Sequence, residues 1–140
     1  MNSEEISVKN GLRVVLLEEK CLMRNVLLKS LGAWGYAWEA PDDEDAAWAA
    51  LRQNSGPTMV MVDLHSELVD CTEFLRRARR DHSCYLVAGV PRNSMGGIRA
   101  CIESGAHDFI YCPYDLDEVR VRLHVIGRIM GLPQAPLTFT

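Results

Sequence analysis

Short apolar runs alternate with amphipathic segments along this chain. Residues 12–17, Leu-Arg-Val-Val-Leu-Leu, are followed at once by Glu18-Glu19. A run this short, rich in branched side chains, predicts a strand buried on both faces of a parallel sheet. Residues 21–31 then place apolar side chains at Leu22, Met23, Val26, Leu27 and Leu31, a helical spacing. Gly32 and Gly35 close that helix. Tyr36 to Ala40 predicts a short strand, Pro41-Asp42-Asp43 a turn, and Glu44 to about Gln53 a helix with Trp48 and Leu51 as its larger apolar residues. Asn54-Ser55-Gly56-Pro57 marks a loop.

The second half repeats the pattern. Thr58 to Asp63 is another buried run that ends in a carboxylate. A loop over His65 to Asp70 leads to a helix from about Thr72 to Arg80, then a strand over Tyr85 to Val90. The next helix runs to about Ser104 and is weakened by Gly96-Gly97, because glycine costs helix propensity. Asp108 to Tyr111 is a fifth strand, and Asp115 to Met130 a last helix with Leu116, Val119, Leu123 and Ile126 as its inward stripe. Strands alternating with helices imply a parallel sheet covered on both faces. At this length the expectation is an α/β, doubly wound, five-stranded open sheet of order 2-1-3-4-5 with five helices, its site at the C-terminal ends of the strands.

Length and composition narrow the class. The chain has 140 residues, and its 48% hydrophobic and 24% charged residues are those of an ordinary globular domain. We read residues 1–10 as a polar extension, 11–131 as the domain, and 132–140 as a tail or the start of a linker to an output domain. The net charge of −4 argues against direct nucleic-acid or membrane-surface binding by this domain. No apolar run approaches the length of a membrane span, and Asn2-Ser3-Glu4-Glu5 does not open a signal peptide. Five scattered cysteines without a C-x-x-C pair suit free thiols in a reducing, cytoplasmic compartment.

The candidate chemistry is carboxylate chemistry. Glu18 and Glu19 end the first strand, and Asp63 ends the third. In a doubly wound sheet those strands are neighbours, so the three acids share one crevice. Like charges held that close either retain a proton or take a cation between them. Oxygen donors are hard, which points to Mg²⁺. Asp63 alone also fits a simple loop cap, and Glu18-Glu19 alone a solvated pair.

With those residues in their order, the sequence resembles the response-regulator receiver domain, the CheY-like phosphoacceptor of two-component signalling. The resemblance covers residues about 10 to 131. Its acidic pair falls on Glu18-Glu19, and its phosphoacceptor on Asp63 within Met-Val-Asp-Leu-His. It further implies that the backbone carbonyl of His65 is a metal ligand. Gly105 to Pro113 is similar to the family's fifth-strand signature, with Phe109 at the aromatic switch position. The implied partners are a histidine kinase or phosphotransfer protein, and a second copy of the chain across the face made by the fourth helix, fifth strand and last helix. Val121, Val125 and Ile129 form an apolar stripe there.

The departures from that pattern bear on function. Cys112 stands where the family has lysine before proline, so no cation faces the phosphoryl oxygens. Val90 stands at the switch Ser/Thr position, and a slip to Gly89 or Ala88 supplies no hydroxyl either. Two readings follow: an atypical receiver phosphorylated at Asp63, or a phosphorylation-independent pseudo-receiver that acts as adaptor or dimerisation module. Neither is an enzyme. A third class is a small flavodoxin-like nucleotide-binding or enzymatic domain. Against it, the loop Glu18-Glu19-Lys20-Cys21 has no glycine to cradle a phosphate.

Overall fold

Each apolar run becomes a strand. The structure, a computed structural model, describes residues 11–53, 56–134 and 136–137; the extension over residues 1–10 and the end of the tail lie outside them. The strands are β1 (Arg13–Leu17), β2 (Ala37–Glu39), β3 (Thr58–Asp63), β4 (Tyr85–Pro91) and β5 (Asp108–Cys112). The helices between and after them are α1 (Leu22–Ala33), α2 (Glu44–Arg52), α3 (Cys71–Asp81), α4 (Met95–Ser104) and α5 (Leu116–Ile129). All strand pairings are parallel, in the order β2-β1-β3-β4-β5. This is the doubly wound sheet that the alternation predicts.

Side chains of successive strand residues point to opposite faces, and the core divides accordingly. Val15, Leu17, Val60, Val62, Leu86, Ala88 and Val90 pack with Trp48 and Leu51 of α2 and Phe74 and Leu75 of α3. Val14, Leu16, Met59, Met61, Val87 and Ile110 pack with Leu27 and Leu31 of α1 and Val119, Leu123 and Ile126 of α5. The central strands are apolar on both faces because helices cover both.

Helix starts carry their own chemistry. Asp43, Asp70 and Asp115 cap α2, α3 and α5 by accepting backbone N–H bonds from Ala46, Glu73, and Asp117 with Glu118. The thiol of Cys21 does the same for α1, accepting from the Arg24 N–H. Strand β2 is shorter than the pattern predicts. Gly35 adopts φ of 89°, and the Tyr36 N–H returns to the Leu31 carbonyl, so Tyr36 closes the helix instead of opening the strand. One of the two glycines in α4 has a packing reason: a Cβ on Gly97 would lie 2.6 Å from the Leu64 side chain, whereas one on Gly96 would meet nothing within 4 Å. Past α5, the Leu132 N–H bonds the Gly127 carbonyl and its side chain packs against the α1–α5 layer, so packing continues beyond residue 131.

Candidate functional site

The two-residue period decides which side chains meet at the C-terminal edge of the sheet. Glu18 continues the face of Val14 and Leu16, and Asp63 that of Met59 and Met61. Cys112 continues the face of Ile110. Gly89 pairs with Asp63 in the ladder and follows Val87 on that same face. All four therefore belong to the α1–α5 side, and they converge there.

Asp63 is half-buried and anchored. Its Oδ1 accepts the His65 N–H at 2.8 Å, and its Oδ2 lies 4.0 Å from the Cys112 thiol. The Leu64 N–H is tied across to the Gly89 carbonyl at 2.8 Å. The Glu18 carboxyl lies against those of Asp63 and Glu19, within hydrogen-bonding reach of both. Burial, then the charge and hydrogen bond of Asp63, then Glu19, push Glu18 up to about 8. At neutral pH Glu18 thus keeps its proton, beside the carboxylates of Asp63 and Glu19.

Glu19 behaves differently. Burial opposes its ionisation, but the backbone N–H of Glu67 and its own N–H, with Glu18 and Ser66, outweigh that and lower its pKa. Its Oε1 accepts the Glu67 N–H, which ties the first acidic loop to the loop after β3. Consecutive residues past a strand diverge, so one glutamate enters the crevice and the other staples its rim.

Cys112 is pushed up to about 12, first by burial and also by Asp63 and Glu18, with Tyr114 opposing. It stays a neutral thiol at physiological pH, unsuited to redox sensing. Past the cis Cys112–Pro113 bond, Tyr114 is only 5% exposed. Sequence reasoning missed Tyr114 and undervalued Gly89. A glycine inside an apolar strand is itself a signal that something approaches the backbone closely, and here that neighbour is Tyr114.

The remaining candidates lie elsewhere. Val90 is fully buried in the α2–α4 layer, and Phe109 is partly buried on that same side. The sheet therefore separates both from the carboxylates. Val121, Val125 and Ile129 are 39%, 42% and 65% exposed, an apolar stripe at helical spacing.

A hard divalent cation fits the donor set of Glu18 and Asp63. Two carboxyl groups are crowded enough that one must stay protonated, and a cation in the proton's place would let both ionise. Among the described residues no three or more His, Cys, Asp or Glu side chains form a metal-holding cluster. The protein side chains would thus supply two carboxylates, a donor set of the kind Mg²⁺ accepts when other oxygen donors complete its shell.

No family model matches the chain. The transcriptional regulatory protein TcrA of Mycobacterium tuberculosis is 26% identical over 128 residues, covering 91% of this chain and 50% of that protein. The chain thus spans about half the length of the curated relatives it matches. A two-component response regulator from Clostridium difficile superposes with a TM-score of 0.76 at 16% identity, over 84% of this chain and 97% of that one. An orphan response regulator of H. pylori gives 0.72 at 19%, over 85% and 98%. The receiver domain of a sensor histidine kinase from Pseudomonas aeruginosa, which has magnesium coordinated in its active-site cleft, gives 0.71 at 17%, over 83% and 97%. No helix among the described residues is long and apolar enough to cross a membrane. The chain has the fold of response-regulator receiver domains.

Proposed function

We propose that this chain is the receiver module of a two-component signalling protein and that Asp63 is its phosphoacceptor. The observation that carries this is the crowding of Glu18 against Asp63 at the C-terminal edge of a receiver-type sheet, with Glu18 pushed up to about 8. Crowded carboxylates cost stability unless a cation joins them, and proteins keep such local conflicts at functional sites. In this reading Glu18 and Asp63 hold Mg²⁺, which supplies charge neutralisation for the phosphoryl oxygens.

The chain's own residues do the rest. The His65 N–H holds Asp63 Oδ1 and leaves Oδ2 as the attacking oxygen. A P–N bond of a phosphohistidine donor breaks as the P–O bond to Asp63 forms, and the histidine recovers its lone pair. The donor is a cytoplasmic histidine kinase or phosphotransfer protein, and the domain relays rather than catalyses. The readout is atypical, because Cys112 and Gly89, the residues that face Asp63 from β5 and β4, offer neither a cation nor a hydroxyl. The apolar stripe of Val121, Val125 and Ile129 is the face this reading gives to a second copy of the chain. A regulator's output domain would follow the tail, as the length of the curated relatives suggests.

A second reading has its own support. Burial keeps the Cys112 thiol neutral, up at about 12, so no charge compensation reaches the phosphoryl oxygens from that side. A pseudo-receiver, acting by contact alone, accounts for that equally.

Acetyl phosphate with Mg²⁺, followed by intact mass, separates the two. We expect one phosphoryl adduct per chain that is absent in Asp63→Asn. No adduct, with beryllofluoride also failing to bind, would leave the pseudo-receiver reading standing alone.

A further inference from the structure

The buried tyrosine beside the acidic crevice carries an inference that rests on the phosphoacceptor reading and deepens it. The Tyr114 hydroxyl is buried and has no nitrogen or oxygen partner among the described residues. Its O–H is engaged with the Cys112 thiol, a weak acceptor that a charged oxygen brought within reach would displace. Buried hydroxyls without a good partner are rare, and one pointing at a charged site calls for an explanation.

Gly89 fixes where that hydroxyl sits. A Cβ on Gly89 would lie 2.4 Å from the Tyr114 oxygen and 2.8 Å from the Cys112 sulfur. Both groups therefore occupy the space over Gly89 that a side chain would otherwise fill. Gly89 is the ladder partner of Asp63, and the Cys112 sulfur reaches to 4.0 Å from Asp63 Oδ2. The hydroxyl thus stands on the same face as the acceptor carboxylate, one strand away, over a glycine that clears its path. The strand that carries Val90 sends that side chain to the other face, so Val90 cannot occupy this space.

We infer that Tyr114 donates its hydroxyl hydrogen bond to an oxygen of the phosphoryl group on Asp63, a contact this chain has in place of a lysine cation and a switch hydroxyl. Gly89 is a positioning residue for it. A neutral donor to a charged acceptor holds the group while adding no charge. The site would bind a tetrahedral phosphoryl mimic through a phenol, and discriminate it from planar or uncharged mimics by that bond.

Beryllofluoride with Mg²⁺, titrated by calorimetry and followed by ¹⁹F NMR, tests this. Tyr114→Phe keeps the ring and removes only the oxygen. We expect it to weaken beryllofluoride about tenfold to a hundredfold, the worth of one hydrogen bond to a charged group. Mg²⁺ affinity measured alone should not change, and one fluorine resonance of the bound complex should shift. Gly89→Ala, which displaces the hydroxyl without removing it, should show a similar loss. Binding to Tyr114→Phe within twofold of wild type, or tighter, would overturn the inference while leaving Asp63 as acceptor. A wild-type chain that does not take beryllofluoride at all would remove the phosphoacceptor reading and this contact with it.

Discussion

The two ends of the sheet handle buried charge in opposite ways. At the N-terminal end, Arg13 sends Nε to the Thr58 hydroxyl at 3.3 Å, Nη1 to Glu39 at 3.4 Å and Nη2 to the Ala50 carbonyl at 2.9 Å. Its charge is countered by Glu39, and each of its three nitrogens donates one hydrogen bond. A cavity of about 360 Å³ opens beside it, lined also by Leu51, Arg52, His82 and Cys84. At the C-terminal end, the Glu18 and Asp63 carboxyl groups press on one another, and the Tyr114 hydroxyl has no nitrogen or oxygen partner among the described residues. Unmet electrostatic demand, rather than empty space, marks where chemistry is supported.

The sharpest way to break this contrast is Arg13→Met, which keeps the apolar stem and removes the guanidinium. If the N-terminal end is structural, urea denaturation should show a loss of about 2–3 kcal/mol, since a buried carbonyl and hydroxyl lose their partner. A loss below about 0.5 kcal/mol would show that the two ends are not different in kind.

The second test is pH. Glu18 is raised from an ordinary 4.5 to about 8, so the folded state binds the proton more tightly than the unfolded chain. Its contribution is fully present below about 4.5 and is lost as pH climbs through about 8. Without divalent cations, stability between pH 6 and 9 should therefore fall, by on the order of 1 kcal/mol once solvent screening of a half-exposed group is allowed for. Asp63→Asn should flatten that slope, and millimolar Mg²⁺ should restore the stability lost at high pH. A wild-type profile already flat in this range would mean that the acids do not press on one another.

The smallest effect belongs to the surface. Ile129→Lys should change monomer stability by less than about 0.5 kcal/mol. If a second copy covers the stripe of Val121, Val125 and Ile129, sedimentation should show a concentration-dependent dimer that this substitution abolishes. A wild-type monomer at all concentrations would take that face out of the reading.

Much of this was legible in the sequence because period and burial are local signals. The two apolar runs ending in Glu18 and Asp63 fixed the strands, and their adjacency follows from the doubly wound order. The separate fates of Glu18 and Glu19 were not legible. Which glutamate enters the crevice depends on the Glu67 N–H, forty-eight residues away, and no window on the chain holds both. Cys112, where the resemblance puts a lysine, carries a thiol and so brings no cation to the crevice. Tyr114 and Gly89 lie on a loop and a strand far apart in the chain, and only the ladder register reveals their meeting. The end of β2 was similarly set by a carbonyl of the preceding helix rather than by strand propensity.

The glycine opposite Asp63 also limits how this chain can change. A methyl group at position 89 collides with the phenol oxygen and the thiol together, so residues 89, 112 and 114 form one steric unit whose substitutions will not add. Grafting a lysine or a small hydroxyl residue onto this scaffold one position at a time would meet that collision first. A designer who wants ordinary switching from this domain has to replace the trio in a single move.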